Sequence, residues 1–229
     1  MVPPLALVVG VGAATGASFC RSIGQDMRLA MVARSSSVIT ELAALLPAAS
    51  AYHCDVTDEI LWRNTLTSIV SEHGAPKVVL INTEGGAWGD YGQMPVDRFR
   101  HSFDVNVVSL LVMVQALFPD PQNIAPDTRV LISSSPAAFE STERFLGLAP
   151  SRAGQRVLAE TLDTVLRPAG LSFGLVNING PIDEPAMREI YGEQPAGFYI
   201  NPDHIAAHMV ELLTKEQMPL HSEIRPPIR

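Results

Sequence analysis

Hydrophobic and polar positions alternate between two periods along this chain. Short β-rich runs, several of them almost purely apolar, occur at residues 5–9, 29–33, 50–53, 78–82, 129–133 and 172–176, with a last short one near Ile224. Between them lie stretches with helical spacing, at 15–25, 38–46, 59–73, 96–118, 149–166 and 203–214. In the last of these, Ile205, Met209 and Leu212 share one face, and Pro202 sits where a first helical turn tolerates proline. A strand covered by helices on both sides reads as a continuous apolar run. Regular alternation of such strands with helices predicts an α/β fold: a doubly wound, mostly parallel seven-stranded sheet with helices on both faces. No repeat or low-complexity linker divides the 229 residues, so a single domain, 1–229, is expected.

Two segments fit neither period. Residues 119–127 hold three prolines and are expected to run over the surface. Residues 183–201 are polar, carry Gly192, Pro195 and Gly197, and follow the sixth strand, on the side where such sheets open their ligand crevice. That segment reads either as a substrate lid or as an inert surface loop.

Composition narrows the function classes. The formal net charge of −8 repels phosphate backbones, so nucleic acid is not expected as a partner. A nucleotide is still admissible, since one local basic residue suffices for it. Cys20 and Cys54 are too few for a disulfide framework or a metal knuckle and read as buried, reduced thiols. No membrane span is expected: the nearest apolar stretch, 105–118, carries Asn106, Ser109 and Gln115. The first five residues lack the basic region and cleavage-like site of a signal peptide, and a cytoplasmic location is expected.

The first apolar run leads into Val8-Val9-Gly10-Val11-Gly12-Ala13-Ala14-Thr15-Gly16-Ala17, at the start of a helical stretch. Glycines there permit a tight turn and close approach of a pyrophosphate, and the helix start offers unpaired N–H groups. In this position the loop, with Gly10, Gly12, Thr15 and Gly16, points to a Rossmann-type dinucleotide site. The second run ends Val32-Ala33-Arg34-Ser35-Ser36-Ser37. An acidic residue would hold the adenosine ribose hydroxyls of NAD; Arg34 with neighbouring hydroxyls such as Ser35 suits a 2′-phosphate instead, so NADP(H) is the expected cofactor.

Taken together these residues resemble the short-chain dehydrogenase/reductase superfamily over nearly the whole chain. Cys54-Asp55-Val56-Thr57-Asp58 is similar to the family's third-strand segment, and the resemblance puts Asp55 on the adenine with Val56 beside it. Ile81-Asn82-Thr83-Glu84-Gly85-Gly86 stands where the family has Asn-Asn-Ala-Gly, so Asn82 and Gly85 match while Thr83 and Glu84 depart. Phe103-Asp104-Val105-Asn106-Val107 resembles the helix bearing the family's structural and catalytic asparagine, here Asn106. Asn179-Gly180-Pro181-Ile182 resembles the Pro-Gly turn and implies Ile182 beside the nicotinamide carboxamide. The run 129–135 resembles the fifth strand with its catalytic serine, giving Ser135, with Ser134 as the neighbouring register. Dimers and tetramers through the helices after the fourth and fifth strands are common in the family, so a homodimer or homotetramer is implied.

The resemblance breaks where the family keeps its tyrosine and lysine. Those positions read Leu148 and Arg152, and no tyrosine occurs between Tyr91 and Tyr191. Leucine exchanges no proton, and arginine holds its proton near neutral pH while still donating hydrogen bonds. Arg152, Ser135 and Asn106 are therefore the candidate catalytic residues, with Tyr91, Tyr191 or Tyr199 as displaced proton sources. Trp88 and Tyr91 either line the substrate mouth or pack a loop. Three functions fit: an NADP(H)-dependent reductase of a carbonyl or activated alkene in a small-molecule substrate, a non-catalytic NADP(H) binder, or a lyase or isomerase using the same pocket. His204 and His208, four apart, lack the glutamate of a zinc-protease motif and read as a solvated helix face; no metal is expected.

Overall fold

The computed structural model describes residues 2–140 and 143–227. Seven strands, β1 (Leu5–Val9), β2 (Arg28–Ala33), β3 (Ala49–His53), β4 (Val78–Ile81), β5 (Thr128–Ser134), β6 (Leu171–Ile178) and β7 (His221–Ile224), form one sheet in the order β3-β2-β1-β4-β5-β6-β7. Every neighbouring pair is parallel. The chain winds outward from β1 to β3, returns to the centre at β4, and winds outward the other way. That reversal separates the connections leaving the carboxyl ends of β1 and β4, which is where an open α/β sheet leaves a ligand crevice.

Side-chain alternation along the strands feeds two cores. Leu5, Leu7 and Val9 face α3 (Glu59–His73), α5 (Ser109–Leu117) and α6 (Ala149–Leu166). Ala6 and Val8 face α1 (Thr15–Ile23), α2 (Ser36–Leu45) and α8 (Pro202–Thr214). Local signals set the helix ends. The Asp58 carboxylate accepts from Leu61 N at the start of α3, and Gly74, at φ +82°, ends it. Trp62 of α3 is buried, and its indole N–H donates to Ser109 O at 3.1 Å, tying α3 to α5.

Two elements differ from the sequence expectation. The helix expected over 96–118 is interrupted: α4 (Val96–Phe103) passes through a π turn at Asp104–Val108 before α5 begins. A π turn adds one residue to a helical circuit, and here it carries the buried Asn106. Residues 183–201, read as an irregular loop, contain α7 (Pro185–Tyr191), with Pro185 in its first turn and Gly192, at φ +68°, just past its end. A bridge between Ile182 and Ile200 closes the base of this excursion. The loop at 119–127 runs largely exposed as expected, with one short 3-10 turn at Pro121–Asn123.

Both thiols are buried and unpaired with each other. Burial pushes the Cys20 thiol up to about 12, against the smaller opposing effect of Arg21. Cys54 is raised as well, again first by burial. Neither Cys20 nor Cys54 should react with a disulfide reagent such as DTNB at neutral pH in the folded protein, and both should react once guanidinium unfolds it. Fast labelling of the native chain would contradict this packing.

Candidate active site

The crevice is built from the carboxyl ends of β1, β2, β4, β5 and β6. On one side of it lies a cavity of about 270 Å³ lined by Gly10, Gly12, Arg34, Ser35, Asp55, Val56 and Asn82, among others. The three glycines of the turn do different work. Gly10 has φ +83°, and a Cβ there would meet the Asn82 backbone at 2.7 Å, so it is required by the fold itself. A Cβ on Gly16 would press on Val11 Cα at 2.9 Å, so this glycine seats α1 against the turn. A Cβ on Gly12 would meet nothing within 4 Å, so this glycine leaves open space in front of the helix start. The first turn of α1 has no side-chain cap and no acidic residue. Thr15 is buried with its Oγ1 unpartnered at that same helix start. This donor-rich, uncapped cradle fits the pyrophosphate of a dinucleotide.

At the far end of that cavity Arg34 is exposed, and the hydroxyls of Ser35 and Ser37 lie 3.2 Å apart. Asp55 accepts from Thr57 N at 3.0 Å and Thr57 Oγ1 at 2.8 Å. Burial alone would raise the Asp55 carboxyl, but these two hydrogen bonds, with the charges of Arg34 and His101, bring it below its ordinary value. It stays ionised and held in place on the cavity wall.

A second cavity, of about 540 Å³, lies across the strand ends and shares Asn82 and Glu84 with the first. Its wall includes Ser133, Ser134, Ser135, Leu148, Arg152 and Ile182. The sequence-predicted Ser135 and Arg152 therefore meet in one place, with Ile182 on the same cavity. Ser134 and Ser135 both present hydroxyls with no partner, while Ser133 Oγ donates to Asn82 Oδ1 at 2.7 Å. Arg152 is 3% exposed. Its guanidinium donates to Ser133 O at 3.0 Å, Gln155 Oε1 at 2.8 Å and Glu84 Oε2 at 3.2 Å. A buried arginine with three oxygen partners is fixed in orientation and keeps its charge. Leu148, also 3% exposed, gives the same wall an apolar surface.

The structure shows what the Asn106 side chain does. Its side chain is fully buried, accepts from Gly85 N at 3.1 Å, and donates to Gly85 O at 2.7 Å and Ser151 Oγ at 2.9 Å. These side-chain contacts hold the loop after β4 against α6. Gly85 serves the same contact, since a Cβ there would stand 2.6 Å from Val105 Cβ. Of the three candidate tyrosines, only Tyr191 lines the larger cavity. Tyr91 is 89% exposed, and Tyr199 donates to Gly192 O at 2.6 Å. Trp88 lines the cavity and packs edge-on to Phe145, which settles its place at the mouth.

Sequence reasoning passed over Glu84 and Glu184. Glu84 stood out only as a departure from the Asn-Asn-Ala-Gly pattern. Glu184 sat in a stretch read as loop, yet it borders the same cavity as Glu84. Burial, and secondarily the charge of Glu84, raise the Glu184 carboxyl above its ordinary value. His204 is exposed and His208 half-buried, and no metal-binding cluster occurs among the described residues. Nor does any described helix have the length and apolarity to cross a membrane.

The sequence profile of the short chain dehydrogenase family matches residues 4–193. The chain belongs to that family. Solved structures agree on the fold. A metagenomic short-chain oxidoreductase in complex with NADP superposes with a TM-score of 0.82 at 22% identity, over 100% of this chain and 99% of that one. A 3-oxoacyl-[acyl-carrier protein] reductase from Brucella melitensis in complex with NAD gives 0.84 at 18%, over 98% and 96%. A short-chain oxidoreductase from Pseudomonas aeruginosa PAO1, described as containing an atypical catalytic center, gives 0.86 at 15%, over 99% and 97%. No curated protein sequence matches the chain.

The Asn106 assignment has a stability consequence. Asn106→Ala leaves Gly85 N and O and the Ser151 hydroxyl without this partner in a buried site, and should cost about 2–3 kcal/mol. Urea unfolding measures it. A variant of wild-type stability would contradict this positioning role.

Proposed function

We propose that this chain is an NADP(H)-dependent oxidoreductase with an atypical centre, reducing a polarised double bond in a small molecule without a tyrosine proton donor. The observation that carries the reading is the continuity of the two cavities through Asn82 and Glu84, from an open glycine cradle to unpartnered serine hydroxyls. When bound, the cofactor would supply hydride. Gly12 and the start of α1 would take its pyrophosphate, Asp55 and Val56 would flank the adenine, and Ile182 would border the nicotinamide end. Arg34, with Ser35, favours the 2′-phosphate by charge and hydrogen bonding.

On the substrate side, Ser135 and Ser134 supply hydroxyls that orient the reacting group, and the apolar wall around Leu148 excludes water from it. Arg152 is committed to Ser133, Gln155 and Glu84, so it fixes charge and shape rather than moving a proton. Rate then comes mainly from placing two reactants together, the part of such catalysis that needs no acid. Leu148 also supports a second reading, a binder that senses NADP(H) and performs no turnover. Single-turnover oxidation of bound NADPH separates the two.

Two measurements test the cofactor assignment. NADPH should bind at least tenfold more tightly than NADH, a difference of about 1.4 kcal/mol, and Arg34→Ala should remove most of that preference. Equal affinities in the wild type would refute it. Gly12→Val should abolish dinucleotide binding in calorimetry with an unchanged circular dichroism spectrum, because its side chain meets only the space a pyrophosphate needs. Retained binding would reduce the loop to a structural turn.

A further inference from the structure

We propose that the larger cavity selects a cationic substrate, a small iminium ion, which it reduces with no proton donor of its own. The inference rests on the oxidoreductase reading above and names its substrate class.

Charge is the first observation. Glu84 and Glu184 both border the cavity, and Arg152 is the one cationic side chain among its described lining residues. Arg152 already answers Glu84 at 3.2 Å. One carboxylate's worth of negative charge is therefore left over, at Glu184, in a half-buried position. The raised Glu184 carboxyl shows the same imbalance: burial and Glu84 both act against its ionisation. A cation entering the cavity relieves that cost, whereas a neutral ketone does not and an anionic substrate would increase it.

The second observation is geometric. Around Gly86, a Cβ would stand 3.5 Å from Leu148 Cδ1, 3.8 Å from Trp88 Nε1 and 4.0 Å from Glu84 Oε1. An indole, a carboxylate and an apolar wall thus converge on the rim, with Tyr191 on the same cavity. An aromatic ring near a carboxylate is a setting that favours small organic cations. Ser134, 3% exposed with its Oγ unpartnered, lines the floor and can accept a hydrogen bond from an iminium N–H.

The chemistry closes without an acid. Reduction of a ketone forms an alkoxide that must gain a proton, which Leu148 cannot give. In an iminium ion, a hydride from the reduced nicotinamide adds to the carbon, and the carbon–nitrogen π pair settles on nitrogen as a lone pair. The products are a neutral amine and the oxidised nicotinamide, so charge and atoms balance with no proton transferred.

The test uses the purified full chain and two permanently charged probes. In calorimetry, the unreactive N,N-dimethylpyrrolidinium ion should bind at least tenfold more tightly than cyclopentanone. Glu184→Gln should lose at least fivefold of that affinity while its affinity for NADPH is unchanged. In turnover, N-methylpyrrolinium should oxidise NADPH at least tenfold faster than cyclopentanone does, above the rate without protein. Equal binding of cation and ketone, a Glu184→Gln variant that binds the cation like wild type, or faster turnover of the ketone would each overturn the proposal. So would cation binding with NADPH bound and no oxidation. Failure of the wild type to bind NADPH would instead strike the cofactor reading, whatever the cation titration showed.

Discussion

A single chain of polar contacts crosses the carboxyl ends of three central strands, and both cavities are arranged around it. Asn82, just past β4, donates to Gly10 O at the end of β1 at 3.0 Å and accepts from Ser133 Oγ of β5. The Ser133 carbonyl in turn accepts from Arg152 on α6, whose guanidinium reaches Gln155 and Glu84. The glycine turn, the β4 loop, the β5 serines and α6 are thus held in one register by hydrogen bonds that run from half-buried and buried groups out to the exposed Glu84. Such networks are sensitive to the loss of any member, because each break strands a polar group away from water. The crevice between them is a consequence of topology; its width and orientation follow from this chain.

Much of the fold was legible because burial leaves a periodic record. The bounds of α3 and α6 coincide with the helical spacing, and each strand core falls within its apolar run, with ends moved by two residues or fewer apart from the last. The π turn at Asp104–Val108 was not legible, since one extra residue in a circuit leaves the apolar pattern on either side intact. Helix α7 was missed for a different reason. It is short, buries no residue fully and so lacks an apolar stripe, although Pro185 and Gly192 mark its ends by backbone geometry alone.

At the site, sequence identified what the backbone must do and passed over certain side chains. Gly10, Gly12 and Gly16 were readable together, yet only the folded backbone separates the two that the fold needs from the one that leaves room for a ligand. Asn106 was read by resemblance as structural and catalytic, and its three buried side-chain contacts account for the structural part. Glu84 and Glu184 lie a hundred residues apart and look like ordinary surface acids in sequence. They come to border one cavity because β4 and β6 flank β5 and the connections leaving their carboxyl ends open on the same end of the sheet.

Arginine at position 152 bears on why this arrangement persists without a proton donor. A lysine ammonium is a compact charge on a flexible stem, and its pKa shifts readily in a buried site. A guanidinium is planar, stays charged, and spreads its donors over several acceptors at once. Here those acceptors are a strand carbonyl, an amide and a carboxylate, which converge from β5, α6 and the β4 loop. A lysine there would leave some of these oxygens unanswered, whereas the arginine answers all three. The cost is that neither Arg152 nor Leu148 can deliver a proton. A site so constituted holds its charges still and leaves proton transfer to other groups.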